Sequence, residues 1–141
     1  MEKKILVFSN GEKIGDGLIK LPLLNEIKRR LPEYKIVWMT NRGRTVYNNQ
    51  LKNIAIKYID QIIEKANLNP FFWQKISNIY NLKDLSFDYI FDTQKVVLRS
   101  LALKRIKCSV FISGAASGFF SNKKIQRKSK KIRKYYLEDL F

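Results

Sequence analysis

The chain has no histidine in 141 residues. That removes the commonest general base, the Ser-His-Asp arrangement and nearly every zinc enzyme. Proton transfer must then use Asp, Glu, Lys or Tyr. Cysteine is almost as scarce, with Cys108 alone. An internal disulfide and a thiolate metal cluster are excluded, and a reducing, cytosolic compartment fits. No apolar run approaches the ~18 residues that cross a bilayer. The run Ile5 to Phe8, behind the charged Met1-Glu2-Lys3-Lys4, is too short for a signal peptide. Acidic residues are few, 12 against 28 Lys and Arg, for a net charge of +16. Such a field favours polyanions: nucleic acid, anionic lipid or phosphorylated glycan. The same surplus follows from the overuse of Lys, Asn and Ile typical of an AT-rich genome, in which case it describes solubility rather than a site.

What is present suits one domain with a real core, since 45% of the residues are hydrophobic. Short apolar runs bounded by polar residues predict buried parallel strands at Lys4 to Ser9, Lys35 to Thr40, Ile54 to Ile59, Phe87 to Asp92 and Cys108 to Ile112. Between the first two, Leu18, Leu21, Leu24, Ile27, Lys28 and Leu31 recur at spacings of three and four, and Pro32 follows. That is an amphipathic helix and its stop. A short helix is expected over Val46 to Leu51, a helical stripe at Phe71, Phe72, Ile76, Ile79 and Tyr80, and a helix over Val96 to Lys104. The small residues Gly114 to Gly118 predict a turn. Strands alternating with helices imply an α/β, Rossmann-like doubly wound parallel sheet, because parallel neighbours need crossover connections. Residues 1–121 would form this domain. Residues 122–141, with eight Lys and Arg against Glu138 and Asp139, would form a basic helix or tail. The tail admits an anionic membrane or glycan contact, or simply a solvated end.

Ligands of such sheets bind beyond the carboxyl ends of the strands. Gly11 to Gly17 lies there, with glycines that let backbone approach a ligand and a helix start that turns N–H groups toward an anion. The spacing is neither G-x-G-x-x-G nor a P-loop. By spacing alone, Asp16 is a helix N-cap. Arg42 and Arg44, after the second strand, are either phosphate or carboxylate ligands or exposed loop arginines. After the fourth strand, Asp92 and Gln94 are expected to face the cleft, with Arg99 in reach of an acidic ligand. Cys108, Trp38 and Trp73 are expected in the core.

Two stretches carry a resemblance. Lys4-Ile5-Leu6-Val7, then Lys13-Ile14-Gly15-Asp16-Gly17, then Leu21-Pro22-Leu23-Leu24 is similar to the opening of family 9 glycosyltransferases, the ADP-heptose:lipopolysaccharide heptosyltransferase kind. Pro22 is odd in a generic helix but falls where that family has its proline. Phe87-Asp88-Tyr89-Ile90-Phe91-Asp92-Thr93-Gln94, followed by Arg99-Ser100, resembles the family's second motif. Glu12-Lys13 stands where the family has Ser-Ser.

The resemblance implies the acceptor-side, N-terminal domain of a GT-B enzyme. Asp16 would be the general base of an inverting, metal-independent sugar transfer, with Lys13, Gly15, Arg42, Gln94 and Arg99 toward the acceptor. The acceptor would be an anionic glycan or glycolipid of lipopolysaccharide or the cell surface. No cofactor is implied; a nucleotide-sugar donor would bind a second domain beyond these residues, supplied by a separate chain or lacking. The expected location is cytoplasmic, with peripheral contact at the inner membrane allowed. The competing expectation is a basic α/β module for nucleic acid or anionic membrane, or an inactive remnant. No RNA-binding fingerprint, helix-turn-helix or zinc finger supports a nucleic-acid partner.

Overall fold

A computed structural model describes residues 2–68, 85–94, 96–113 and 121–122. Five parallel strands form one sheet in the order β3-β2-β1-β4-β5: β1 Lys4–Ser9, β2 Lys35–Thr40, β3 Gln61–Ile63, β4 Ser86–Asp92 and β5 Lys107–Ser113. Helix α1 spans Ile14–Arg30, α2 Lys52–Ala55 and α3 Val97–Leu103, with a 3-10 turn at Val46–Asn48.

Strand alternation sends side chains into two cores, one on each face. Ile5, Val7, Ile36, Trp38, Phe91 and Ile112 pack with Leu24 and Ile27 of α1 and with Tyr47, Leu51 and Ala55. Leu6, Phe8, Val37, Met39, Ile90 and Phe111 pack with Ala102 and Leu103 of α3. Residues 5 to 8 of β1 are wholly buried, as expected for a central strand covered on both faces. The expected α/β, Rossmann-like doubly wound sheet is therefore the observed fold.

The third strand lies elsewhere than the sequence suggests. Residues 54–59 are helix α2 and the turns after it, and pairing with β2 begins at Gln61. The buried positions Leu51, Ala55 and Ile59 repeat every four residues, while Ile54 and Ile56 face solvent. That is helical periodicity in an isoleucine-rich segment. The helix expected over Val46 to Leu51 is only the 3-10 turn Val46–Asn48. Pro22 does sit inside α1. The carbonyl it deprives of an amide is that of Leu18, a half-exposed residue, so the missing bond falls on the solvent side of the helix. The stripe Phe71 to Tyr80, Trp73, the Gly114 to Gly118 turn and residues 123–141 lie outside the described residues. No described helix is long and apolar enough to cross a membrane.

Candidate functional site

The sheet order reverses between β1 and β4, because the chain runs outward through β2 and β3 on one side and through β4 and β5 on the other. The crevice of a doubly wound sheet opens at that point, beyond the strand ends. The loops after β1 and β4 flank it. Thr93 ties them together: its amide (3.2 Å) and its hydroxyl (2.7 Å) both donate to the Phe8 carbonyl.

The loop after β1 crosses the loop after β2 at two glycines. Gly11 has φ +111°, and a Cβ there would lie 2.8 Å from Gly43 Cα, so a side chain meets both backbone strain and a backbone clash. The Gly43 amide donates to the Asn10 carbonyl at 3.1 Å. Glu12 then turns inward. It is buried and accepts the hydroxyl of Thr45, which itself accepts the Tyr47 amide at 3.2 Å. Lys13 points out to solvent. Glu12 and Lys13, adjacent in sequence, therefore face opposite ways, and the Glu12 carboxylate belongs to the loop scaffold.

Lys13 occupies the N-cap position of α1 without a side-chain cap bond, and Asp16 lies in the first helical turn. The N-cap role that spacing suggests for Asp16 is thus not the one observed. Its carboxylate gains from the helix dipole and accepts Lys20 Nζ at 2.7 Å, yet its side chain remains 52% exposed. Four described acidic side chains follow the strands at this edge. Glu12 and Asp92 are buried, and Glu64 takes the Thr45 amide at 2.7 Å while lying partly buried. Asp16 is the exposed one. Tyr47 is no rival base: its hydroxyl donates to the Gly17 carbonyl at 2.6 Å, and burial, helped by the charges of Glu12 and Asp16, pushes its pKa up.

Across the crevice, Asp92 is not a cleft residue, as the sequence suggested, but a buried anchor. Its Oδ2 accepts Ser100 Oγ of α3 at 2.5 Å and Ser113 Oγ of β5 at 2.8 Å, and its Oδ1 accepts the Gln94 amide at 2.9 Å. Gln94 and Arg99 bond to each other, Arg99 Nη1 donating to Gln94 Oε1 at 3.1 Å, both half-buried; the sequence suggests only that each faces a ligand. Arg42 and Arg44 are exposed on the loop beyond β2, on the far side of β1 from this pair. Gly15 is exposed, with open space where a side chain would go. Among the described residues no group of acidic or sulfur ligands could hold a metal. A cavity of 240 Å³ lined by Tyr47, Lys52, Ile56, Asp60 and Gln61 contains none of Lys13, Gly15, Asp16, Arg42, Gln94 and Arg99.

This fold is shared with a solved heptosyltransferase. The E. coli heptosyltransferase WaaC with ADP matches 90% of this chain with a TM-score of 0.56 at 18% identity. The chain spans 42% of that structure's chain. At this identity the likeness speaks to the fold alone. No protein-family model and no curated protein matches the sequence. Sequence reasoning missed Lys20, whose signal was its spacing of four residues from Asp16. The Glu12–Thr45 bond had no such signal, because the two residues are 33 apart in the chain.

Open space at Gly15 gives a test that separates stability from binding. Gly15→Ala is expected to leave thermal stability unchanged or raise it by up to about 1 kcal/mol, because alanine is the better helix former. If the acceptor approaches this backbone, the methyl group weakens its binding. Unaltered acceptor affinity in a titration of the variant would remove Gly15 from the site.

Proposed function

We propose that this chain is the acceptor-side half of a GT-B glycosyltransferase of the heptosyltransferase kind. Asp16 takes the proton from an acceptor hydroxyl as that oxygen attacks the anomeric carbon of a nucleotide-sugar. The bond from sugar to diphosphate breaks, the nucleotide leaves with the electron pair, and the anomeric centre inverts. A metal is not required by this scheme. Gln94 and Arg99, with Lys13, Gly15 and Arg42, would orient an anionic glycan or glycolipid acceptor, as guanidinium and ammonium groups do for phosphate and carboxylate. One observation carries the reading: the exposed Asp16 and the Gln94–Arg99 pair flank the point where the strand order reverses. The fold shared with WaaC supports it. The donor pocket would lie in a second domain beyond these 141 residues.

The test is an NMR titration of the chain with a phosphorylated sugar acceptor at physiological salt. Saturable shifts confined to the loops after β1, β2 and β4 are expected, with no sugar transfer by residues 1–141 alone. Binding that spreads over the basic surface and falls uniformly with salt would favour a general polyanion module instead. Turnover of a nucleotide-sugar by the isolated chain would overturn the division into halves.

A further inference from the structure

We infer that Lys20 is a positioning residue that fixes the carboxylate of Asp16 and so presets the candidate base. The inference rests on the reading of Asp16 given above. An exposed ion pair one helical turn apart holds its partners weakly, because both side chains must be ordered in high dielectric. The pair here is asymmetric. The Lys20 side chain is 11% exposed, against 52% for Asp16. Lys20 reaches back over the end of β1, where its Nζ donates to Ser9 Oγ at 3.2 Å as well as to Asp16 Oδ2 at 2.7 Å. The same ammonium lies 6.0 Å from the ring centroid of Trp38, within the range of cation–π attraction.

Both supports are rigid. Ser9 and Trp38 are fully buried on adjacent strands, and Tyr47 packs edge-on against Trp38 at 4.7 Å between centroids. The ammonium is therefore held from the core side as well as by Asp16. A lysine taken this far out of water requires a counter-charge, and Asp16 is the carboxylate that meets it. The carboxylate is thereby drawn to one place through Oδ2, while its half-exposed side chain leaves Oδ1 for an acceptor hydroxyl. Lys20 touches no acceptor in this arrangement. It acts through Asp16, as a supporting residue does when it locks the rotamer of a functional one.

The test uses the full 141-residue chain, isotope-labelled, as wild type, Lys20→Met and Lys20→Arg. Three-bond couplings report the χ1 rotamers of Asp16, and amide shifts of the sheet report the fold. The expected result is one Asp16 rotamer in the wild type, averaging over rotamers in Lys20→Met with the sheet shifts retained, and a single rotamer again in Lys20→Arg. A rotamer already averaged in the wild type, or one still locked in Lys20→Met, overturns the inference. Should Lys20→Met fail to fold, Ser9→Ala supplies the same reading by removing one support of the ammonium: partial averaging of Asp16 is expected, and an unchanged rotamer again overturns the inference. Failure of the catalytic reading looks different. Asp16 would then be locked by Lys20 as described, yet its replacement would leave sugar transfer intact once a donor half is present.

Discussion

Asp92→Ala is expected to lower the stability of the fold by about 2–4 kcal/mol, the range for stripping the partner from buried polar groups. Asp92 is the point where β4, β5 and α3 meet through one carboxylate. Its removal takes the carboxylate acceptor from the hydroxyls of Ser100 and Ser113, both fully buried. Some of the loss is recovered, because the two hydroxyls lie 3.1 Å apart and can bond each other. Asp92→Asn keeps the volume but not the pattern. The carboxylate accepts hydrogen bonds on both oxygens, so an amide must turn its NH₂ toward either the serine hydroxyls or the Gln94 amide. A loss of about 1–2 kcal/mol follows for that mismatch. Chemical denaturation of the three proteins at neutral pH measures these differences.

Asp92 also carries a pH signature. Burial raises its pKa, against the lowering effect of the Ser100, Ser113 and Gln94 bonds and the charge of Arg99. A carboxyl whose folded pKa is raised binds more protons folded than unfolded. Its contribution is full below the unfolded value and is lost as pH rises through the folded value. The stability advantage of wild type over Asp92→Asn is therefore expected to be larger near pH 3 than at pH 7. An advantage that grows with pH would mean that the hydrogen bonds, not burial, set the protonation of this group.

Much of this architecture was legible from local pattern. Strands β1, β2, β4 and β5 stood out because an apolar run between polar residues marks a strand buried on both faces. The third strand did not, because Gln61–Ile63 is too short for any period to show, and the isoleucines before it imitated a strand. Within the site, the loops were found from the glycines and the strand ends, whereas the Gln94–Arg99 bond was not anticipated, although the two residues lie only five apart in the chain. Asp92 was misjudged because its environment is tertiary. The side chains that enclose it come from positions 100 and 113, on two other elements. The inward turn of Glu12 and the burial of Lys20 were hidden for the same reason, since Thr45, Ser9 and Trp38 meet them only after β1 and β2 pair.

Asp16→Asn is expected to reduce sugar transfer by about 10²–10⁴-fold, the usual contribution of a positioned general base. The measurement requires the donor half, whether as a separate polypeptide or as further chain joined to these residues. The loss should fall on kcat with KM little changed, because proton removal is an interaction made only in the transition state. Other groups at this edge are poorly placed to substitute. Glu12 and Asp92 are buried and committed to hydroxyl donors, and Tyr47 is fixed as a donor to the Gly17 carbonyl. Glu64 accepts the Thr45 amide, and with no histidine in the chain the loss has no local rescue among the described residues. Asp16→Glu tests placement rather than charge: one added methylene moves the carboxylate away from Lys20 and from the acceptor, and transfer should fall although the group stays acidic. Amide shifts of the sheet should match wild type in both variants, since the Asp16 side chain is half exposed. Near-wild-type kcat in Asp16→Asn, with the donor half present and the acceptor saturating, would leave Asp16 as a helix-turn carboxylate paired to a buried lysine, and the base would have to be sought outside the described residues.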